Sequence, residues 1–272
     1  MPSAKVIIAT HKRYQMPKDP LYLPLHVGAA GKTDESGVPL DLGYQRDDEG
    51  ENISGKNAQY CELTGLYWAW KHLTEDYIGL AHYRRQFGSG KKGAGPMQCV
   101  LTARDLAPLL GTFDIFVPKK RHYYIETLYS HYAHTHYASH LDAARNVIAR
   151  RDPLILPAYD RVLASRSGYM FNMMIMRREL LDAYCGWLFP ILAELEQEID
   201  VAELSGFQAR LFGRLSEILF NVWLAGGIES GAVKPDRIRE LPVVYMEKVD
   251  WVKKGTAFLK AKFTHSKYEG SF

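Results

Sequence analysis

Short apolar runs alternate with one-sided apolar stripes along this chain, and that alternation predicts an α/β fold. Lys5-Val-Ile-Ile-Ala-Thr10 is a β-branched run closed by His11-Lys-Arg13, so a buried first strand hands the chain to a basic loop. Leu21 to Val27 reads as a second strand or an irregular edge, because Pro24 has no N–H to give to a ladder. From Gly28 to Asn57 the composition shifts to Gly, Asp, Glu, Asn and Ser, a long acidic loop of the functional or solvated kind. Asn57 is placed to cap the helix that follows, where Leu63, Leu66, Tyr67, Trp70 and Leu73 fall at helical spacing. Tyr77 to Ala81 is uncharged and β-prone or small, the pattern of a strand covered on both faces. Strand, loop, helix and strand in this order make a βαβ crossover, and hence a central, mostly parallel sheet flanked by helices.

The second half repeats the pattern less regularly. Residues 88 to 96 form a basic Gly-rich loop without the order of a P-loop, better suited to a mobile lid. Leu101 to Leu110 predicts a short helix, and Phe113 to Val117 a strand that ends in Pro118-Lys-Lys-Arg121. Tyr169 to Met176 predicts a further strand with Asn172 inside it, and Leu181 to Leu195 a helix that Pro190 should kink. Phe207 to Leu224 is a strong helix: Leu211, Leu215, Leu219 and Val222 face the core, and Arg210, Arg214, Glu217 and Asn221 form a polar stripe. After Gly226-Gly227, Leu241 to Met246 closes the fold as a strand.

Composition narrows the class. A chain of 272 residues, 47% hydrophobic and 24% charged, can bury a sizeable core. A net charge of +3 with no nucleic-acid-binding motif gives no reason to expect nucleic acid as a partner. Three scattered cysteines and a start that runs straight into a strand fit a reduced, cytoplasmic protein. The tail from Trp251 to Phe272 combines apolar residues with five lysines and one glutamate, a composition suited to an anionic membrane surface or to packing on the body.

Chemistry gathers where strands end. In open α/β sheets ligands sit outside the carboxyl ends of strands, the edge to which His82, Tyr83, Arg84 and Arg85 are delivered. Paired guanidiniums there suit a phosphate, although one arginine in a surface salt bridge beside a solvated one would give the same pattern. His131, His134, His136 and His140 are spaced as metal ligands on a helix can be, but no HExxH order or matching carboxylate accompanies them. With Tyr123, Tyr124 and Tyr129 they make an aromatic wall suited to sugar recognition.

Several long segments together carry a resemblance. They are Asn52-Ile-Ser54 with Asn57 to Lys71, Tyr77 to Arg85, Tyr129-Ser-His-Tyr-Ala-His134, Arg166 to Met173, and Phe207 to Glu217. They resemble the bacterial capsular and exopolysaccharide biosynthesis proteins grouped as an uncharacterised-domain family of glycosyltransferases, over about residues 4 to 250. The resemblance implies a GT-A-like single domain over 1–250, followed by the basic tail 251–272. It also implies transfer of a hexose from a UDP-sugar to a glycan or lipid-linked glycan acceptor, with some relatives acting as galactofuranosyltransferases. Many GT-A enzymes carry Asp-x-Asp where this chain has His82 to Arg85. The expectation is therefore that Arg84 and Arg85, with Lys119 or Lys120, supply the positive charge and that no metal is required; Asp47 and Asp48 are the fallback for Mg or Mn. Donor contacts are expected from Thr10, His11, Lys12, Asn52, Ser54, Asn57, Tyr60, His82, Tyr83, Arg84, Arg85 and Lys119, and acceptor contacts from Tyr129, His131, His134, Arg166 and Asn172. An inverting transfer needs a carboxylate to take the acceptor proton, for which Glu217, then Glu62 and Asp114, are the candidates. The rivals are a non-catalytic polysaccharide-binding or assembly protein on the same fold and, more weakly, a nucleotidyl or phosphoryl transferase.

Overall fold

The computed structural model describes residues 2–201, 204 and 206–247. The tail 251–272 and its proposed membrane role lie outside them. In chain order the elements begin with β1 (Ala4–Thr10), β2 (Tyr22–His26), β3 (Gln45–Arg46), α1 (Asn57–Tyr60), α2 (Leu63–His72), β4 (Tyr77–His82) and β5 (Arg85–Phe87). Next come α3 (Pro96–Cys99), α4 (Ala103–Leu106), β6 (Ile115–Pro118), β7 (Arg121–His122), α5 (Leu128–Thr135), α6 (Ala138–Arg151) and α7 (Leu156–Ala164). The last are β8 (Ser167–Gly168), β9 (Met174–Arg177), α8 (Arg178–Glu198), α9 (Leu211–Glu229), β10 (Ile238–Leu241) and β11 (Val243–Tyr245). The described residues divide into two compact units, the first made of residues up to Lys119, Phe171–Cys185 and Lys234–Glu247, the second of Lys120–Met170 and Gly186–Val233.

The first unit holds a nine-stranded sheet in the order β10-β6-β9-β4-β1-β2-β3, with β5 branching from the end of β4 and β11 paired to β5. β4 runs parallel to β1 and antiparallel to β9, so it is central, which is why its residues are apolar on both faces. At the β4–β9 contact a Cβ on Gly79 would come within 2.8 Å of the Met174 carbonyl oxygen, so no larger residue fits there. One face of the sheet carries α2: Leu63, Leu66 and Ala69 are fully buried, and Gly65 lies close to Ile7, Leu25 and Val27. The other face holds Val6, Ile8, Tyr22, Phe87, Leu101, Leu106, Phe116 and Ile175 in one apolar cluster.

Four local expectations are corrected. Asn57 is not a cap; it begins α1, and its Nδ2 donates to the Cys61 carbonyl (2.7 Å) and Thr64 Oγ1 (3.1 Å). Tyr67 and Trp70 lie at the rim of α2 rather than in its core face, and Trp68 is buried instead. The strand foreseen from Tyr169 shrinks to Met174–Arg177, because Phe171 and Asn172 take left-handed conformations (φ 77° and 51°) and turn the chain before it. The closing strand is two strands: Pro242 interrupts it, leaving β10 parallel to β6 and β11 antiparallel to β5.

The second unit is mainly helical. α7 and α9 pack together, Gly226 of α9 lying against Ile155, and the small ribbon β7–β8 pairs Arg121 with Gly168 and His122 with Ser167. Helix α9 runs through Gly226 and Gly227 to Glu229, with Leu211, Leu215, Leu219 and Val222 fully buried.

Candidate functional site

The carboxyl ends of β1, β4 and β6 lie on one edge of the sheet, since β6 and β4 are each antiparallel to β9. This edge gathers cations. β4 does not end in an open loop: Tyr83 and Arg84 form the turn of a hairpin in which His82 pairs with Arg85. The hairpin leans on the loop after β1, where the Tyr83 ring meets His11 (5.3 Å between centroids) and Tyr14 (5.0 Å), and Lys12 Nζ lies 5.2 Å from the centre of the Tyr83 ring. His11, Lys12 and Lys119 are exposed at this edge, and Arg84 and Arg85 are half-buried. Rings beneath the cations fix where their charge sits without neutralising it.

Each arginine is held differently. The Arg85 guanidinium lies 4.6 Å from the centre of the Phe171 ring. Arg84 Nε donates to Glu247 Oε2 (2.9 Å), and the Tyr14 hydroxyl donates to Glu247 Oε1 (3.2 Å). Glu247, which sequence reasoning missed, therefore puts a carboxylate on the guanidinium expected to meet a phosphate. Nothing in the sequence points to a partner 163 positions away.

The left-handed pair Phe171–Asn172 organises the same edge. The Phe171 carbonyl accepts from His82 Nε2 (2.5 Å), and buried Asn172 donates from Nδ2 to Glu62 Oε1 (2.6 Å). Asn172 thus holds Glu62 from inside the fold and does not present itself to an acceptor. Glu62 Oε2 has no hydrogen-bond partner among the described residues.

Several expected donor contacts are turned inward. Buried Thr10 bonds through Oγ1 to the Lys12 backbone. Asn52 donates to the Asp48 and Gly50 carbonyls, and Ser54 and Tyr60 are buried. Asp114 stands at the start of β6, on the opposite edge, paired with Arg237 and Arg177. The hydrogen bond from Arg237 holds its carboxyl below the usual range, which makes it a poor proton acceptor in the wrong place. Asp47 and Asp48 do not fit a divalent cation. The Asp47 oxygens accept from Gly28 N (2.9 Å), Ala29 N (3.0 Å) and Ser54 Oγ, and Asp48 is bridged by Arg46 (2.6 Å).

The second unit holds four of the five acceptor candidates, and two of them, His131 and His134, share one carboxylate. Glu126, 3% exposed, accepts from Nδ1 of His131 (2.9 Å) and of His134 (2.7 Å). Burial alone would raise the Glu126 pKa, but the bonds and charge of the two histidines outweigh it and lower it, while burial lowers that of His131. Exposed Tyr129 lies on the same helix, and exposed Arg166 donates to the Tyr124 carbonyl (3.1 Å). Glu217 lies 3.8 Å from Arg214, while Asn221 donates to the Glu217 carbonyl and pairs with both backbone groups of Tyr169.

His136 gives this unit a testable acid sensitivity. It is buried, with Nδ1 donating to Gln208 Oε1 (2.9 Å), and burial lowers its pKa to about 4. The unfolded chain takes up a proton near pH 6.5 that the folded chain refuses, so stability is full above that value and falls as pH drops towards 4. The loss should reach about 3 kcal/mol. Urea unfolding at pH 7 and pH 4.5 measures it; His136→Asn should flatten the slope, and an unchanged slope rejects the assignment.

No curated protein sequence matches the chain. An apo structure of the bifunctional glycosyltransferase WbbM is similar, with 28% identity and a TM-score of 0.81 over 90% of this chain and 46% of that one. The chain therefore spans about half the length of that protein. Residues 5–227 match the family model described as a domain of unknown function, DUF4422, and the chain belongs to that family.

Proposed function

We propose that this protein is a glycosyltransferase that moves a hexosyl group from a UDP-sugar to a glycan or lipid-linked glycan acceptor in capsule, O-antigen or exopolysaccharide synthesis. Galactofuranose is among the candidate donor sugars. The observation that carries the reading is the cationic edge formed by Lys12, Arg84 and Arg85, in a chain similar over nine-tenths of its length to a glycosyltransferase.

The chemistry follows from that edge. As the glycosidic bond to the donor breaks, negative charge grows on the departing diphosphate; the Arg85 guanidinium, preset by Phe171, stabilises it without reorganising, and Arg84 joins it once the diphosphate has displaced Glu247. The acceptor hydroxyl gives its proton to a carboxylate within hydrogen-bond reach. Glu62 stands at the edge with Asn172 fixing one of its oxygens, and Glu217 is the second candidate. Asp114 is withdrawn by its position.

The test is UDP release from a panel of UDP-sugars, UDP-galactofuranose included, with glycan acceptors and with or without EDTA. Release that persists in EDTA is expected. Release abolished by EDTA rejects the metal-free mechanism, and no release with any donor and acceptor favours the binding-protein reading. Glu62→Gln and Glu217→Gln separate the two bases, because the true one abolishes transfer and leaves UDP affinity intact.

A further inference from the structure

We propose that β7 and the tip of the loop after it, residues 120–125 of the second unit, are a contact for an anionic membrane surface. The tip is directed outward. The Tyr123 ring turns in against His131, 4.2 Å between centroids. Tyr124 then adopts a left-handed conformation (φ 52°), and the chain re-enters at Glu126, gripped by both imidazoles. Between these anchors Tyr124 is 78% and Ile125 60% exposed, with Tyr129 a further 38% exposed on the helix that follows. Single exposed apolar residues are ordinary, but three within six positions make a patch, and here a bulky residue also occupies a backbone region that favours glycine.

Charge decides the occupant. Arg121 and Arg166 are exposed beside the tip, Arg121 over Tyr123 and Arg166 bonded to the Tyr124 carbonyl, and exposed Lys120 lies farther back along the ribbon, over Tyr169. The only acid between residues 120 and 130 is Glu126, which faces inward. An aliphatic side chain beside a tyrosine, rimmed by cations, matches the lipid–water interface: Ile125 enters the acyl boundary, Tyr124 sits at headgroup level and the cations meet phosphates. A neutral glycan would stack on the tyrosines but gain nothing from Ile125 or from three positive charges.

Flotation of the full chain with phosphatidylglycerol–phosphatidylcholine vesicles tests this without any sugar donor, so it stands or falls apart from the transferase reading. Binding is expected to the anionic vesicles, to weaken in 0.5 M salt, and to fall about tenfold in Y124S/I125S and further in Ile125→Glu. These positions are exposed, and an unchanged melting temperature verifies the fold. Equal binding by wild type and Y124S/I125S overturns the proposal. So does binding lost only in K253E/K254E, which assigns the contact to the basic tail, and so does absence of vesicle binding alongside oligosaccharide binding that Y124S abolishes.

Discussion

Replacing Arg84 and Arg85 together by alanine is expected to weaken UDP binding about 100-fold, close to 3 kcal/mol, because each guanidinium makes charge-assisted bonds to a diphosphate that alanine cannot replace. The two positions contribute by different routes. Arg85 is preset by the Phe171 ring, so its loss removes a donor already in place. Arg84 must first leave Glu247. Both partners are 41% exposed, and an ion pair so open to water is worth about 0–1 kcal/mol, which a ligand carrying two or more negative charges displaces. Glu247→Gln removes that competition and should tighten UDP binding several-fold, opposite in sign to the arginine changes. Calorimetry with UDP reads all of these. Wild-type affinity in the double alanine variant, with an unchanged melting temperature, would remove the hairpin from the donor site.

Much of this arrangement was legible in the chain because it is written in periodicities. β1 and β4 are apolar runs, α2 and α9 carry clear stripes, and the arginines follow β4 directly, so the sheet edge with its charge could be placed from spacing alone. What was hidden depends on backbone turns with no sequence signature. Tyr83-Arg84 has none of the Asn-Gly or Asp-Gly chemistry of a tight hairpin, yet it reverses the chain, because β5 is held on its far side by β11. Phe171 and Asn172 lie in an apolar run that reads as strand, and only their positive φ reveals a turn. That turn converts Asn172 from an expected acceptor contact into the residue that fixes Glu62. Glu126 was visible, but its two histidines lie on a helix that follows it, so no ligand spacing marked it as their common acceptor.

The largest stability loss should come from Asp47, through the loop it holds rather than through any step of transfer. Its side chain is fully buried and is the common acceptor for three donors: the backbone N–H groups of Gly28 and Ala29 and the Ser54 hydroxyl. Those donors lie at the two ends of the long acidic loop, so one carboxylate closes it. Gly28 has no freedom to find another arrangement, since it is left-handed (φ 66°) and the Asn57 side chain lies 2.6 Å from where a Cβ would stand. Asp47→Ala leaves two amides and a hydroxyl buried without their acceptor, at about 1–3 kcal/mol each before relaxation, and a net cost of about 4 kcal/mol is expected. For a chain of this size that corresponds to a fall in melting temperature of about 10 °C. Asp47→Asn keeps one acceptor oxygen and should lose roughly half as much, while Ser54→Ala, which deletes a donor along with its need for a partner, should lose about 1 kcal/mol. Thermal melts of the three variants test the order. A carboxylate that merely decorated the loop would leave all three within about 2 °C of wild type, whereas a latch gives a graded series with Asp47→Ala lowest.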